Sequence, residues 1–373
     1  MADSLSTPLL VGVEEEFLLV DAETGAPTAR ISDVMPRAAA LAGDQAQDEL
    51  HQAQIEHATT ACDSLADLRR QLVTLRQSFV RAAAAAGSLV VVSGTYPGHM
   101  GDEGRRITSK DRYQALAAAN SILAREQLIC GCHIHVSVPS PQRAIDVMNR
   151  IRAWLPLLLA LSGNSPFWEG EDTGFSSYRT EVWARWPTSG PPGYFASHEE
   201  YQMLLDQLVA AEVILDKKMA YWDVRPSENF PTVEIRVNDV MSRVDDVVAV
   251  AGLVRALVAT CARESGPVEN YRWELLRAAN WRAARTGLAG DLLFPVDGST
   301  RPAAEAIRSL LSHLAPVLEE RGERDELEDL TAAILRRGNG ATLQRAAYGR
   351  RHQIRDVIES VTLGRDGSPG RAD

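Results

Sequence analysis

Cysteine is scarce in this chain. Its 373 residues hold four, Cys62, Cys130, Cys132 and Cys261, too few and too scattered for a disulfide framework. Long hydrophobic runs are missing as well. The most apolar stretch, residues 154–161, contains Pro156 and is far too short to span a bilayer. The opening MADSLSTPLL lacks a basic start followed by an apolar core, so no secretory signal is expected. Positive charge is in deficit: the formal net charge of −11 excludes nucleic acid as a general partner, because phosphate binding needs a basic surface. A nucleotide could still bind through local arginines and metal ions. No repeat and no break in composition marks a second domain. These absences leave the expectation of a soluble cytoplasmic protein, with one domain over 1–363, a frayed tail over 364–373, and neither a membrane nor a nucleic-acid partner.

What is present is acid where acid should be rare. Glu14, Glu15 and Glu16 interrupt the run Val11-Gly12-Val13 … Phe17-Leu18-Leu19-Val20, which otherwise reads as a buried strand. Strand side chains alternate, so Glu14 and Glu16 share one face and Glu15 takes the other. Two residues along a strand span roughly 6.5 Å, which lets each carboxylate hold a separate divalent ion, or the two clamp a pair. Burying carboxylates costs several kcal/mol each unless cations or hydrogen bonds compensate; the plain alternative is an edge strand with a solvated acidic face.

Three further segments follow the same grammar. His133, His135 and Ser137 share a face in residues 133–138, Glu234, Arg236 and Asn238 share one in 232–238, and Asp223 pairs with Arg225 in 221–225. An antiparallel sheet with one wet face would suffice for this. Ordinary wet faces favour Lys, Thr and Ser, however, whereas these carry the groups that bind metals and phosphates, which points to a polar sheet surface lining a cavity. Cys130-Gly131-Cys132 lacks a second cysteine pair to complete a zinc site and reads as small buried residues. Glu49 and Glu56 lie seven apart and share a face only on a helix, which makes Glu49 a poor candidate.

Helices are expected from Ser64, a plausible cap, to near Gly87, and over 111–128, 142–161, 198–215, 244–263, 273–286, 302–321 and 325–336, with strands over 88–93 and 130–138. The segment 162–197, rich in Gly, Pro and Ser, carries Trp168, Trp183 and Trp186, and those tryptophans argue for an ordered functional loop.

Taken in order, the motifs resemble the second bacterial type of glutamate–cysteine ligase, the carboxylate–amine ligase family. They are Gly12-Val13-Glu14-Glu15-Glu16-Phe17, Gln54-Ile55-Glu56, Gly131-Cys132-His133-Ile134-His135-Val136, Asn164-Ser165-Pro166-Phe167-Trp168, Ser177-Tyr178-Arg179, Arg185-Trp186-Pro187, Tyr221-Trp222-Asp223-Val224-Arg225-Pro226-Ser227, Thr232-Val233-Glu234-Ile235-Arg236 and Asn280-Trp281-Arg282-Ala283. The resemblance runs from about residue 9 to 350. It implies an α+β fold akin to glutamine synthetase, a curved and mainly antiparallel sheet forming a funnel with helices packed outside. It also implies ATP-dependent amide formation through an acyl phosphate, most simply from glutamate and cysteine.

By the same resemblance, Glu14, Glu16, Glu56, His133 and Glu234 would hold Mg²⁺ or Mn²⁺, and Glu14, Glu16 and Arg236 would be catalytic. Arg236, Asn238 and Arg282 would contact ATP, while Arg179, Trp168, Arg225 and Tyr96 would contact the substrates. A homodimer is implied too. Cys132 departs from the larger polar residue expected in the family, and Tyr96-Pro97-Gly98 from a His-Pro-Phe turn; both changes are expected near the substrate. The runner-up reading of the same acid and imidazole face is a metal-dependent hydrolase; a third, a binder without turnover, fits poorly with intact ligand residues.

Overall fold

Aliphatic residues flank the triple acid on both sides, and they place its strand at the centre of the molecule. The computed structural model describes residues 9–370; residues 1–8 and 371–373, which hold most of the stretch read for a secretory signal and the end of the expected tail, lie outside the described residues. The chain begins with β1 (Val11–Asp21), α1 (Ile31–Ala42) and a hairpin of β2 (Ala46–Asp48) and β3 (Gln54–Ala58). Then come α2 (Leu65–Ala84), β4 (Ser88–Val91), α3 (Gly101–Gly104), α4 (Asp111–Asn120), α5 (Ile122–Arg125) and β5 (Gly131–Ser137). Next are α6 (Pro141–Ile151), α7 (Leu155–Ser162), a small ribbon of β6 (Phe167–Trp168) and β7 (Glu171–Asp172), α8 (Tyr178–Trp183) and α9 (His198–Ala210). β8 (Val224–Pro226) and β9 (Thr232–Asp239) complete the main sheet. The remainder comprises α10 (Val244–Arg263), α11 (Trp273–Thr286), the hairpin of β10 (Asp291–Phe294) and β11 (Ser299–Pro302), α12 (Ala303–Arg321), α13 (Arg324–Arg337), α14 (Gly340–Arg351) and α15 (Ile354–Val361).

The main sheet runs β2-β3-β1-β5-β9-β8, with β4 added beside the second half of β1. Every pairing in it is antiparallel. The fold is therefore α+β, as expected. Val11, Val13, Cys132, Ile134, Val136, Val233, Ile235 and Val237 all lie in one buried apolar cluster, together with residues of α2, α6, α7, α10 and α12. Strand alternation assigns that face to the helices and leaves Glu14, Glu16, His133, His135, Glu234 and Arg236 on the other. A second cluster packs Phe17, Leu18, Leu19 and Val20 against α1, α2 and β4. No helix is long and apolar enough to cross a membrane among the described residues.

Several helices are shorter than the periodicity predicts. The 111–128 helix breaks at Ser121, which sits at φ 50° between α4 and α5. The 142–161 helix becomes α6 and α7, joined by a 3₁₀ turn over Arg152–Trp154, with Pro156 in the first turn of α7, where a missing N–H costs nothing. Ser64 caps α2 as expected, its hydroxyl accepting from the Asp67 N–H at 3.1 Å. Within the segment read as a frayed tail, the Gly364 N–H donates to Ser368 O at 2.7 Å and the Gly370 N–H to Thr362 O at 2.9 Å.

The middle acid points at the helices, and its charge is met there. Arg76 of α2 gives its Nε to Glu15 Oε2 at 3.0 Å and its Nη2 to Oε1, while His57 Nε2 lies 3.2 Å from Oε2. The same guanidinium donates to Ser242 O at 2.8 Å and Met241 O at 2.7 Å, just past β9. Burial would raise Glu15, but Arg76 and His57 hold it down to about 2. A carboxyl depressed below its unfolded value of 4.5 contributes stability above that pH and loses it as pH falls towards 2. Glu15→Gln is expected to cost about 3–5 kcal/mol in urea unfolding at neutral pH by leaving a buried guanidinium uncompensated. Glu15→Gln combined with Arg76→Met should recover most of that loss; a single variant as stable as the parent would remove the pair's structural role.

Candidate functional site

Register converts the alternating pattern into a site. Across the sheet Glu16 stands opposite Glu56, Glu14 opposite His133, and His135 opposite Glu234, which in turn faces Arg225. These residues line a cleft of about 1200 Å³, joined by Arg179, Trp183 and Trp186 from the 162–197 segment and by Ser227 to Phe230 at the β8–β9 turn. Two groups of potential ligand atoms lie within 4.8 Å of one another: Glu14, His135 and Glu234, and Glu16, Glu49 and Glu56.

The two groups differ electrically. Glu16 is pushed up to about 8 by burial and by Glu49, against Arg179, Arg236 and the Gly131 N–H, which donates to its Oε2 at 2.6 Å. Glu56 is also raised well above the usual carboxylate range, by burial and by Glu14, Glu49 and Glu16. Glu16 and Glu56, buried and crowded by neighbouring carboxylates, thus favour holding a proton. At the other end burial would also raise Glu14, yet hydrogen bonds from His133 and His135 keep it well below the usual range. Glu234 is driven down, against burial, by Arg225 and Arg236; Arg225 gives Nε at 2.7 Å and Nη2 at 3.2 Å, and Arg236 gives Nη1.

His133 is lowered to about 4 by burial and by Arg236, so it is neutral at pH 7 and supports Glu14 through Nδ1 at 3.3 Å. Its buried Nε2 makes no hydrogen bond and lies 3.9 Å from Glu16 Oε1. A bare imidazole nitrogen among crowded carboxylates is a donor set that suits a hard divalent cation.

Backbone irregularity aims the arginines. Cys132 pairs with Asn238 but Ile134 with Ile235, so Arg236 and Val237 together face His133, a β-bulge that bends the strand and redirects its side chains. Arg179 braces the bulge, donating from Nη2 to Arg236 O at 3.3 Å and from Nη1 to Val237 O at 3.5 Å. A Cβ on Gly131 would stand 2.4 Å from Arg179 Nη2, so only glycine allows this approach. Asp239 secures α8 from behind, accepting from the Asn164 N–H at 2.8 Å and from the Ser165 and Ser177 hydroxyls at 2.7 Å each. Arg179 Nε and Arg236 Nε remain buried donors without a partner.

The structure thus gathers Glu14, Glu16, Glu56, His133, Glu234, Arg236, Arg179 and Arg225 around one cleft. It leaves others outside the lining. Tyr96 is buried and donates to Gly25 O at 2.8 Å, Asn238 is buried without hydrogen bonds from its amide, and Arg282 gives Nε to Asp291 O at 2.9 Å. Trp168 lines a separate hollow with Tyr178 and Arg185. The two departures from the family pattern also need correction. Cys132 lies in the core beneath the sheet and Tyr96 packs with α1 and β4, so neither faces the cleft, because each sits on the apolar phase of its segment. His135, left out of the metal set, joins Glu14 and Glu234, and Glu49 is the other residue that sequence reasoning missed. The β2–β3 hairpin pairs Gln47 with Glu56, and this reversal carries Glu49 back beside Glu56; no Gly, Pro or Asn marks the turn between them.

The glutamate–cysteine ligase family 2 model matches residues 10–363. The chain belongs to this family. It is 43% identical over 357 residues to "Putative glutamate–cysteine ligase 2-1" of Nocardia farcinica, covering 94% of this chain and 92% of that one. It is likewise 43% identical over 373 residues to "Putative glutamate–cysteine ligase 2-2" of Frankia alni, covering 94% and 95%. Among solved structures, glutamate–cysteine ligase from Francisella tularensis in complex with AMP superimposes with a TM-score of 0.71 at 13% identity, over 94% of this chain and 87% of that one. The bifunctional glutathione synthetase of Pasteurella multocida gives 0.70 at 15%, over 94% of this chain and 51% of the larger one. Both likenesses concern the fold.

Glu16 supplies a test of the site's electrostatics. Its folded-state value of about 8 exceeds the unfolded 4.5, so the stability present below pH 4.5 is lost as pH rises through 8. In metal-free protein above pH 7, Glu16→Gln should raise Tm by at least about 2 °C, the shift of roughly 1 kcal/mol in a large domain. Unchanged or lower Tm by calorimetry would contradict the crowding.

Proposed function

We propose that this family member is an ATP-dependent carboxylate–amine ligase, and that its reaction occupies the cleft between β1, β5 and β9. The observation that carries the reading is the division of one sheet face into a cluster of crowded carboxylates and an acid–imidazole group flanked by Arg225 and Arg236. A carboxylate is a poor electrophile until its oxygen leaves as phosphate, and phosphoryl transfer is a matter of positioning and charge neutralisation. Glu16, Glu49 and Glu56 at one end, and Glu14, Glu234 and the imidazoles at the other, are the residues that would hold Mg²⁺ or Mn²⁺. Such ions, when bound, neutralise phosphate oxygens and orient the triphosphate for transfer.

The protein's own groups do the rest. Arg236, with a spare buried Nε, stabilises charge on the transferring phosphoryl group. Arg179, similarly endowed, holds the carboxylate of the acid substrate. Glu234 fixes both Arg225 and Arg236, and the walls of Trp183 and Trp186 limit water. The acid's oxygen takes the γ-phosphoryl group and ADP leaves; the amine then attacks the acyl carbon and phosphate leaves. The relatives' names make glutamate and cysteine the simplest pair. A metal-dependent hydrolase using the same face needs no ATP, so product formation without nucleotide would favour it.

The test is ADP release from Mg-ATP with glutamate and a panel of amines including cysteine, with mass spectrometry of any new amide. Glu14→Gln and Glu234→Gln should each lower the rate by about 10²–10³, the usual cost of one electrostatic contact in a transition state. Chelation by EDTA should abolish release and Mn²⁺ should restore it. A variant with the parent's rate would remove that residue from the machinery.

A further inference from the structure

Beside Trp183 lies a second, open hollow, which shares Trp183 and Trp186 with the main cleft and is also lined by Trp273 and Trp281. Trp183 borders both spaces, with Arg236 Cζ 5.8 Å and Arg179 Cζ 5.9 Å from its ring centroid. The outer indoles are half exposed, Trp273 at 44% and Trp281 at 49%, although large apolar side chains on a soluble surface are more often covered.

Two carboxylates line this annex, the half-buried Glu181 and the buried Asp223. Asp223 stands opposite Arg236 across the β8–β9 ladder, where its carbonyl accepts the Arg236 N–H at 2.8 Å. The side chain is 6% exposed and accepts one hydrogen bond, from Asn280 Nδ2 to Oδ2 at 2.6 Å; Oδ1 accepts none, and the group enters no ion pair among the described residues. Of the arginines of the annex wall, Arg185 pairs outside it with Glu126 at 2.7 Å, and Arg277 lies over the Trp273 ring at 5.5 Å and forms no ion pair with Asp223 among the described residues. Burial pushes Asp223 up to about 7, opposed by the more distant Arg179 and Arg236. A buried carboxylate with an open oxygen and aromatic walls is a receptor for an ammonium ion, which gains both a counter-charge and the negative faces of the rings.

We propose that this annex is the dock of the amine substrate, with its ammonium on Asp223 Oδ1 and an aromatic or extended apolar tail along the tryptophans. The inference rests on the ligase reading for its chemistry, not for its binding. The ammonium gives one proton to Asp223. The neutral amine then attacks the acyl-phosphate carbon, the C–N bond forms as the C–O bond to phosphate breaks, and the second proton leaves with phosphate. Asp223 returns its proton to solvent.

Phenethylammonium and its neutral counterpart phenethyl alcohol, titrated onto the full chain by intrinsic tryptophan fluorescence, test the dock. The amine should quench saturably and bind at least ~10-fold tighter than the alcohol, a difference expected of one hydrogen bond to a charged group. Asp223→Asn should erase that difference, and Trp273→Ala, at a half-exposed wall, should weaken the amine several-fold without depending on the buried carboxyl. Equal binding of amine and alcohol, or parental binding by Asp223→Asn, overturns the proposal. A second arm separates it from the ligase reading. Hydroxylamine is uncharged at neutral pH and traps acyl phosphates without a base, so Asp223→Asn should keep hydroxamate formation from glutamate and ATP while losing amide formation by about 10²-fold. Equal loss of both reactions in a variant with parental circular dichroism would also overturn the role of Asp223. Absence of hydroxamate from the parent would strike the ligase reading alone, leaving the binding result to decide the dock.

Discussion

The pairing of Glu15 with Arg76 is the constraint on which the rest of the structure depends. One guanidinium joins the central strand, the helix behind it and the backbone just beyond β9. A buried pair of this kind adds little net stability over an apolar substitute, since desolvation offsets most of its attraction. What it adds here is register. Slipping β1 by one residue would turn Glu14 and Glu16 into the apolar cluster and Glu15 into the cleft, and only one of the two alternatives supplies Arg76 and His57 as partners. The acid that plays no part in the cleft thus fixes where the two that line it must point.

The arginines are placed by backbone, not by long flexible reach. Arg179 is held by carbonyls of the β9 bulge and Arg236 by Glu234, while Asp239 binds the loop that delivers Arg179. Guanidinium suits these positions because its planar fork can satisfy carbonyls and a carboxylate at once and still keep a donor free. The geometry of the site therefore resides in hydrogen bonds behind it. Ser165, Ser177 and Asn164 read in sequence as loop residues, yet their polar groups converge on one buried aspartate.

This division explains what was legible beforehand. The period-two pattern gave β1, β5 and β9, the faces of their charged residues, and the α+β class, because alternation is a local property that burial on one side enforces. Register, the bulge opposite His133 and the β2–β3 reversal are non-local. They depend on which strand lies alongside, so Glu49 was dismissed on a spacing argument that the hairpin makes irrelevant. The breaks at Ser121 and before α7 escaped for a different reason: periodicity continues across a kink, and only packing decides whether the helix does. Asp223 was seen as half of a pair with Arg225, but the structure turns Arg225 to Glu234 and leaves the aspartate facing tryptophans.

A sheet face that brings Glu16, Glu49 and Glu56 within reach of one another carries an electrostatic cost. Glu16 and Glu56 reach neutrality only by holding protons, and the apolar clusters beneath the sheet must carry that cost. Any divalent cation that binds there replaces those protons and relieves the repulsion, so binding free energy appears as folding free energy. The same logic reaches Asp223, a buried carboxylate with one oxygen free of hydrogen bonds among the described residues. Fold and ligand are then coupled at both ends of the site. A divalent cation at the carboxylates and an ammonium at Asp223 are each expected to raise the protein's stability.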